Sequence, residues 1–408
     1  MFGKSLKNLA KLYSKDVEAV LAIASSSLEI PEANADVINF ASGLPDPRAI
    51  PVNDIEKILK HIIEEYGYKA LQYTSSRGVP ELINNIVAFM YRMRGLKTLP
   101  ENILITAGSQ QALDLITRLF VNPGEVVIVE EPSYILALHV LRLRGAKVVG
   151  VAIDRHGLRI DLLETTIKKL RREGEKIKLV YTMPLFQNPT GVSMSFERRK
   201  YLLELSEEHD LLIVEDDAYA FLGFDDSMIP ALASEDQFGR VIYVSTFSKI
   251  LSPGLRVGYL IAQEDVITKL SVVKQVIDLG SSTLSQLIAA KAIEKNVIEK
   301  NIAYIRKLYR VKKDLMVEAL DEMLPKGIWR SDPGGGFYVW VKLNRNIDTE
   351  DILNLSNKRG VLFTPGKRFC VNQVPCKDAM RLSFSNPPEN SIRVGIQILG
   401  DILRCKVR

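Results

Sequence analysis

The chain has 408 residues, of which 47% are apolar and 25% are charged. At about 150 residues per domain this length predicts two or three lobes, and the ordinary globular composition excludes a disordered or fibrous protein. The 54 basic and 49 acidic residues leave a formal charge of +5. This surplus is too small to indicate a nucleic-acid partner.

The N-terminal segment has only part of the pattern of a secretory signal. Lysines precede the apolar run 19–24, but Asp16 and Glu18 stand just ahead of that run. The run is also too short for the apolar region of a signal peptide. No stretch reaches about 18 uninterrupted apolar residues, so we expect no membrane-spanning helix. The sequence therefore predicts a cytoplasmic protein that binds neither membrane nor nucleic acid.

The cysteines indicate little chemistry. Cys370, Cys376 and Cys405 are an odd number near the C-terminus, so we expect reduced thiols rather than a disulfide framework. No CxxC or HxxxH spacing suggests a zinc site. We therefore predict no metal.

The first predicted element is a helix within residues 1–45, followed by a loop rich in Ser, Pro and Gly. The middle of the chain then repeats one pattern, in which a short apolar run ends in a polar turn and a helical pattern usually follows. Strands that are apolar on both faces predict a sheet covered by helices on both sides, and the alternation predicts an α/β fold with a mostly parallel sheet. The predicted strands are 103–106, 126–130, 179–183, 211–215, 241–245 and 257–261.

Two features complete this organisation. The link from 245 to 257 is too short for a helical crossover, so one antiparallel strand is expected there. From about residue 285 the pattern predicts a long polar helix, Gln286 to about Met323, and then a β-rich tail. The predicted domains are an N-terminal segment joining the small domain, a large domain and a C-terminal small domain, with bounds 1–45, 46–285 and 286–408.

Polar residues follow the carboxyl ends of the predicted strands, where ligands of α/β sheets bind. Ser109 and Gln110 follow the first strand and open a helix, whose free N–H groups suit a phosphate. An ordinary N-cap explains Ser109 equally well. Tyr134 follows the second strand and can stack on a planar ring, or it can be a simple core tyrosine.

The later strand ends carry more specific chemistry. Asn188 can turn its amide toward a ligand oxygen, although turn formation by Asn-Pro-Thr-Gly also explains it. Asp216, at the mouth of a buried strand, needs a cation or a donor; a helix N-cap or a metal site is the alternative. Lys249 lies in a hydroxyl-rich stretch, and a desolvated lysine becomes a usable nucleophile, whereas most lysines are solvated. Arg256 can form a bidentate pair with a phosphate.

Together these groups fit one ligand, pyridoxal 5′-phosphate (PLP). Its aldehyde would react with Lys249, its ring nitrogen would face Asp216, and its phosphate would bind at the Ser109 helix start and Arg256. At these residues the sequence resembles the class I/II aminotransferases of PLP fold-type I, and most closely the branch of 2-aminoadipate, kynurenine and archaeal multi-substrate aminotransferases. The matching strings, in chain order, are Phe40-Ala-Ser-Gly-Leu-Pro45, Leu71-Gln-Tyr73, Gly108-Ser-Gln-Gln-Ala-Leu113, Glu131-Pro-Ser-Tyr134, Gln187-Asn-Pro-Thr-Gly191, Glu215-Asp-Asp-Ala-Tyr219, Phe247-Ser-Lys249, Pro253-Gly-Leu-Arg256, Gly335-Gly-Phe337 and Arg381-Leu-Ser383.

The resemblance implies a fold and a set of catalytic roles. The fold is a large domain with a mostly parallel seven-stranded sheet between helices, plus a smaller α/β domain. Lys249 would form the Schiff base with the cofactor and then act as the base that moves the α-proton. Asp216 would keep the pyridine nitrogen protonated. The second substrate would be a 2-oxo acid, 2-oxoglutarate, in a ping-pong reaction.

The resemblance also implies the remaining site residues. Tyr219 and Asn188 would bond the ring hydroxyl oxygen, and Tyr134 would stack on the ring. Arg381 would bind the substrate α-carboxylate near Asn188 and Gly43. The residues that would line the phosphate are Ser109, Gln110, Thr246, Ser248 and Arg256, joined by Tyr73 from the neighbouring subunit of a homodimer. One departure is Ser42, where relatives usually carry glycine, and it bears on the substrate loop rather than on the cofactor.

Other functions stay open at this stage. The same cofactor residues serve β-lyases, decarboxylases and cyclopropane-forming synthases. A regulator with an aminotransferase-like domain would need a basic recognition helix, which the short segment before Phe40 lacks. A nucleotide enzyme is disfavoured because the P-loop-like stretch 360–367 has one residue too many between its glycines.

The preferred amino donor is only weakly indicated. No Lys or Arg lies between Lys15 and Arg48, whereas relatives that prefer acidic side chains often carry an arginine near the N-terminal helix. This favours aromatic or other apolar donors and leaves 2-aminoadipate open. Tyr13, Ile23 and Leu28 could line such a pocket, or they could form the core-facing stripe of a helix.

Overall fold

A computed structural model describes Ser14 and residues 37–225, 227–343, 346–372 and 374–406. The residues proposed to line a donor pocket, Tyr13, Ile23 and Leu28, lie outside this part of the chain. The α-helices described, α1 to α11, are Val52–Tyr66, Pro80–Arg94, Ser109–Phe120, Ile135–Leu143, Ile160–Arg172, Phe196–Glu208, Glu264–Asp278, Thr283–Glu294, Val297–Met323, Thr349–Asn357 and Glu389–Lys406. The strands described, β1 to β14, are Ile38–Asn39, Ile103–Thr106, Val126–Glu131, Lys147–Asp154, Gly157–Leu158, Ile177–Thr182, Leu212–Asp216, Val241–Thr246, Gly258–Ile261, Trp329–Arg330, Tyr338–Lys342, Val361–Leu362, Thr364–Pro365 and Ala379–Ser383.

The central sheet has the strand order β2-β9-β8-β7-β6-β3-β4-β5. Strands β8, β7, β6, β3 and β4 are parallel to one another. Strand β9 is antiparallel to both of its neighbours, which confirms the antiparallel strand expected from the short link. Seven strands form the body of the sheet, and the eighth, β5, is a two-residue strand antiparallel to β4.

Strand β4 was not among the strands predicted from apolar runs. Its sequence, Lys-Val-Val-Gly-Val-Ala-Ile-Asp, is interrupted by Gly150, and glycine weakens a strand pattern. Only Val151 in this strand is fully buried. The strand is therefore held by pairing with β3 rather than by a continuous apolar surface.

The buried strands are apolar on both faces because two cores flank the sheet. In β3, Val126 and Ile128 pack in one core with helix α5, whereas Val127 and Val129 pack in the other core. Successive side chains of a strand alternate between faces, so a strand between two helical layers needs apolar residues throughout. This arrangement places the carboxyl ends of the parallel strands together at one edge, where the polar residues follow.

The C-terminal part of the chain builds a second, antiparallel sheet of order β10-β11-β14-β13. Strand β1, near the start of the described chain, pairs in parallel with β12, and the two together form a small separate sheet. A segment before residue 45 thus packs against the C-terminal region. The domain bounds at 45 and 285 stay a prediction.

Two expectations from the sequence are wrong. The single long helix from Gln286 to Met323 is instead two helices, α8 and α9, because Asn296 adopts a left-handed conformation with φ of +55°, which asparagine tolerates better than most residues. The thiols of Cys370 and Cys376 are not reduced but form a disulfide with a Cα–Cα distance of 6.3 Å, whereas Cys405 is free and exposed. The fold brings the first two cysteines together across a six-residue separation.

Candidate active site

Lys249 stands where the sequence predicts a nucleophile, at the end of the short 3₁₀ helix that follows β8. Its Nζ donates a hydrogen bond to the carbonyl oxygen of Gly43 at 3.0 Å. The same nitrogen lies 6.0 Å from the ring centroid of Tyr219 and 5.5 Å from that of Phe337. The amine is therefore held in an aromatic pocket with one backbone acceptor.

The surroundings of Lys249 favour its neutral form. Burial, together with the positive charges of Arg381 and Arg256, lowers the pKa of Lys249 from 10.5 to about 8. Desolvation and nearby like charge both disfavour the protonated amine. A larger fraction of the side chain is thus available as a nucleophile near neutral pH.

Asp216 ends β7 with its carboxylate buried. Its Oδ2 accepts a hydrogen bond from the phenol of Tyr181 at 2.7 Å, whereas Oδ1 is buried and has no partner in the described part of the chain. Burial raises the pKa of Asp216 to about 6. A buried acceptor without a donor is costly, and the protonated ring nitrogen of PLP is the donor that would satisfy it.

The side chains of the two acidic residues next to Asp216 in the sequence lie on the opposite face of the strand. Glu215 accepts two backbone N–H groups of the loop after β7, each at 2.8 Å. Asp217 forms a buried ion pair with Arg94 at 2.8 Å and accepts the Tyr243 phenol at 2.6 Å. Because consecutive side chains of a strand alternate, the middle carboxylate of the three faces the site.

The predicted phosphate site centres on the start of α3. Gly108 precedes Ser109 with φ of +82°, a conformation that favours glycine. A Cβ at this position would lie 2.5 Å from Arg256 Nη2, and that nitrogen donates to the Ala107 carbonyl oxygen at 3.2 Å. Gln110 donates through Nε2 to a backbone carbonyl oxygen at 3.3 Å. The free N–H groups of the helix start and the Arg256 guanidinium therefore lie side by side, as phosphate binding requires.

The hydroxyl groups of Thr246 and Ser248 lie at the same edge. Their oxygens are 2.8 Å apart. Thr246 is paired with Gly258 across the sheet, and a Cβ on that glycine would lie 2.8 Å from the Ser109 nitrogen. The structure thus brings together the five residues predicted to line the phosphate.

Arg381 on β14 is buried without an acidic partner among the described residues. Its guanidinium carbon lies 4.2 Å from the Tyr338 ring centroid and 4.9 Å from that of Phe369. Nη1 donates to Asn188 Oδ1 at 2.9 Å, and Nη2 donates to the Ala41 carbonyl oxygen at 2.5 Å. Nε is buried with no acceptor in the part of the chain described. A carboxylate is the ligand that this guanidinium lacks.

Tyr338 contacts several of these groups, although no sequence pattern assigned it a role. Its hydroxyl lies 3.1 Å from that of Tyr219, and the two rings meet edge to face at 5.7 Å between centroids. A Cβ on Gly43 would overlap the Tyr338 hydroxyl. The only available signal was its position directly after the Gly335-Gly-Phe337 string.

Tyr134 and Tyr73 differ in how the structure places them. Tyr134 precedes α4, and burial, with Asp216 and Tyr338 nearby, raises the pKa of its phenol. Tyr73 is 81% exposed. Within the described residues, its side chain makes no hydrogen bond with another predicted site residue.

Sequence reasoning missed a buried network behind Asn188. Gln187 donates through Nε2 to Glu130 Oε2 at 3.1 Å and to the Pro132 carbonyl oxygen at 2.7 Å. Its Oε1 accepts the backbone N–H of Thr190 at 3.0 Å. Burial raises the pKa of Glu130 to about 7. This network joins the turn after β3 to the turn that carries Asn188.

The described part of the chain has neither a cluster of metal-ligating side chains nor a membrane-spanning helix. No group of three or more His, Cys, Asp or Glu side chains there could hold a metal ion. None of the helices described has the length and apolar character needed to cross a bilayer.

Comparison with known proteins assigns the family. The family model for aminotransferase class I and II matches residues 35–399. The chain belongs to this family. The aromatic-amino-acid aminotransferase 1 of Thermococcus litoralis is 40% identical over 91% of this chain and 88% of its own length. The 2-aminoadipate transaminase of Thermus thermophilus is 35% identical over 90% of each protein.

A solved structure extends the similarity to the fold. The kynurenine aminotransferase of Pyrococcus horikoshii, determined with PMP, has a TM-score of 0.91 and 37% identity over 99% of each chain. The protein is thus a PLP-dependent aminotransferase of fold-type I that moves amino groups between amino acids and oxo acids. Since these relatives are named as aminotransferases, amino transfer prevails over the lyase, decarboxylase and synthase alternatives.

Proposed function

We propose that this aminotransferase takes the amino group from aromatic or other apolar L-amino acids and passes it to 2-oxoglutarate. The observation that carries the proposal is Arg381, a buried guanidinium with an unpaired Nε and two aromatic rings beside it. Arginine binds carboxylates in a fixed, planar geometry. The α-carboxylate common to both substrates would bind here, with the Asn188 amide alongside.

The cofactor would be held by the residues at the strand ends. Bound PLP supplies an aldehyde and a ring that accepts electrons. Asp216 Oδ1 would accept a hydrogen bond from the protonated ring nitrogen, and Tyr219 and Asn188 would bond the ring hydroxyl oxygen. Tyr134 would stack on the ring. The phosphate would bind at the α3 start with Gln110, Thr246, Ser248 and Arg256.

Lys249 would act both as the attachment point and as the base. Its lowered pKa makes the neutral amine accessible near neutral pH, and a general base works best with a pKa near the working pH. The Gly43 carbonyl oxygen accepts a hydrogen bond from this amine and would hold it at the site, where it would serve as the base. Aromatic rings around the amine limit the access of water.

The charges around the amine support apolar donors. The positive groups that act on Lys249 are Arg381 and Arg256. If Arg256 binds the phosphate and Arg381 the α-carboxylate, neither of these two arginines is left for an acidic donor side chain, and the second carboxylate of 2-oxoglutarate would be bound by groups other than these two. The sequence similarity to an aromatic-amino-acid aminotransferase also supports an aromatic or apolar donor. The similarity to a 2-aminoadipate transaminase keeps 2-aminoadipate as the second candidate donor.

A second copy of the chain would complete the site. Among the exposed apolar side chains are those of two segments, one with Tyr68, Leu71 and Tyr73, at 70–81% exposure, and one with Val276 and Leu279. The segments adjoin, since Thr283 Oγ1 donates to the carbonyl oxygen of Gln72 at 2.6 Å. An apolar surface of this kind is typical of an interface. Tyr73 would then reach the cofactor phosphate bound by the partner subunit. The cytoplasmic location remains a prediction.

A donor screen tests the proposal. With 2-oxoglutarate as acceptor, we expect Phe, Tyr and Leu to give the highest kcat/KM. Strong activity with 2-aminoadipate and none with these three would overturn the choice of donor. Size-exclusion chromatography with light scattering tests the dimer, and Val276→Glu with Leu279→Glu should yield monomers that bind PLP less tightly.

A further inference from the structure

The two carboxylate oxygens of Asp216 have different surroundings. Oδ2 accepts the Tyr181 phenol at 2.7 Å, and Oδ1 is left without a partner among the described residues. Both side chains are almost fully buried. A carboxylate can rotate about its χ2 angle, and a hydrogen bond at one oxygen fixes where the other oxygen points. The phenol thus aims Oδ1 away from itself and toward the site.

Tyr181 reaches Asp216 through the register of the sheet. Tyr181 on β6 is paired with Val214 on β7, so Tyr181, Val214 and Asp216 lie on the same face. Burial and the nearby Asp216 raise the pKa of Tyr181 well above its ordinary value of 10.0. The phenol therefore keeps its proton and is a permanent donor rather than an acid or base of the reaction.

The phenol also affects which form of Asp216 is present. Burial and the adjacent Asp217 raise the pKa of Asp216, and the hydrogen bond from Tyr181, together with the nearby Ala218 N–H group, opposes that rise. Two other ionisable groups face it: Glu130 and Tyr134 each have a pKa that Asp216 raises. Without the phenol, less of the carboxylate would be ionised at pH 7.

We propose that Tyr181 is a positioning residue that orients Asp216 and stabilises its ionised form, so that the apo-protein presents a ready acceptor to the ring nitrogen of PLP. The inference rests on the proposed role of Asp216. Tyr181 itself touches neither substrate nor the reacting atoms. It acts through the carboxylate, which makes cofactor affinity the quantity that should change.

The chain provides a matched control on the other face of β7. Tyr243 is also buried and donates to Asp217 at 2.6 Å. We expect Tyr181→Phe to weaken PLP binding by the apo-protein about 10-fold, as for loss of a hydrogen bond to a charged group. As the pH is lowered, the PLP affinity of Tyr181→Phe should begin to fall at a higher pH than that of the parent protein. Tyr243→Phe should leave both the affinity and its pH dependence unchanged.

Titration of apo-protein with PLP between pH 5 and 9, followed by absorbance, measures both quantities. Equal affinities and equal pH profiles for Tyr181→Phe and Tyr243→Phe would overturn the inference. A fluorinated tyrosine at position 181 keeps the packing and is a stronger donor, so it should move the profile to lower pH. If Tyr181→Phe does not fold, the pH profile of the fluorotyrosine protein tests the positioning role instead. An unchanged profile, or one moved to higher pH, would count against the proposal.

Asp216→Asn separates this inference from the proposed function. If Asp216→Asn weakens PLP binding and turnover but Tyr181→Phe does neither, only the positioning role of Tyr181 is wrong. If Asp216→Asn changes neither, the assignment of Asp216 to the ring nitrogen fails.

Discussion

The amine of Lys249 and the carbonyl oxygen of Gly43 are joined by a 3.0 Å hydrogen bond across 206 positions of sequence. This contact links the nucleophile at the edge of the central sheet to the segment that follows β1. The same segment supplies the Ala41 carbonyl oxygen to Arg381. The groups proposed for cofactor and substrate therefore share one support.

Lys249→Ala should abolish both the absorbance of lysine-bound PLP and amino transfer, because the nucleophile is lost. Lys249→Arg keeps the charge but not the reactive amine and should be equally inactive. In the parent, the rate of PLP capture should rise with pH up to about 8 and then level off, since the neutral fraction of Lys249 increases through that pH. Stopped-flow absorbance measures the rate, and a rise that continues toward 10.5 would show an ordinary, solvated lysine.

Arg381→Lys should raise KM for the amino donor by about 10- to 100-fold, because a lysine cannot reproduce the planar pairing or the stacking on aromatic rings. PLP affinity should not change. Steady-state kinetics and a PLP titration measure the two effects. Arg359→Lys is the control, since that exposed arginine is paired with Asp401; equal KM values for the two variants would remove Arg381 from the substrate site.

Gly43→Ala should lower kcat by about 10-fold or more, because the added methyl overlaps the Tyr338 hydroxyl and would displace the Gly43 carbonyl oxygen that accepts the Lys249 hydrogen bond. Tyr338→Phe in the same chain removes the overlapping oxygen and should restore part of the activity. Gly334→Ala is the control, because a Cβ there meets nothing nearer than 3.8 Å. Absence of any recovery in the double variant would argue against this steric cause.

Cys370→Ser should lower the free energy of unfolding by about 2 kcal/mol, the value that chain entropy gives for so short a loop. The loop adjoins Phe369, which packs on Arg381, so KM for the donor should rise as well. Calorimetry under non-reducing conditions measures the first effect and kinetics the second. Cys405→Ser should change neither, since this thiol is exposed and free; an unchanged Cys370→Ser protein would mean that the disulfide contributes nothing.

The residues that sequence could predict are those that follow buried strands. Asp216 follows one apolar run directly and Lys249 follows another after three residues, and the carboxyl ends of such strands meet at one edge. Their neighbourhood is thus fixed by the α/β pattern alone. The antiparallel position of β9 followed in the same way, from the shortness of one link.

The residues that sequence could not predict depend on contacts between distant segments. Tyr181 and Tyr338 lie inside strands and look like ordinary core aromatics until the register places their hydroxyls on Asp216 and Tyr219. The left-handed Asn296 that divides the long helix is a single backbone conformation within a helical pattern. The periodicity of apolar residues in the sequence predicts neither a contact between distant segments nor a single left-handed residue.

The three successive acids at the end of β7, Glu215 to Asp217, make this strand unusually intolerant of a change in register. Glu215 and Asp217 meet backbone donors and Arg94 on one side, and Asp216 faces the other. Deleting one residue within the strand, upstream of these acids, would move each side chain to the opposite face of the sheet. One carboxylate instead of two would then lie on the face of Arg94, and two carboxylates would lie on the face of the cofactor site. Length variation among natural homologues should therefore be absent from β7 and confined to the loops around it.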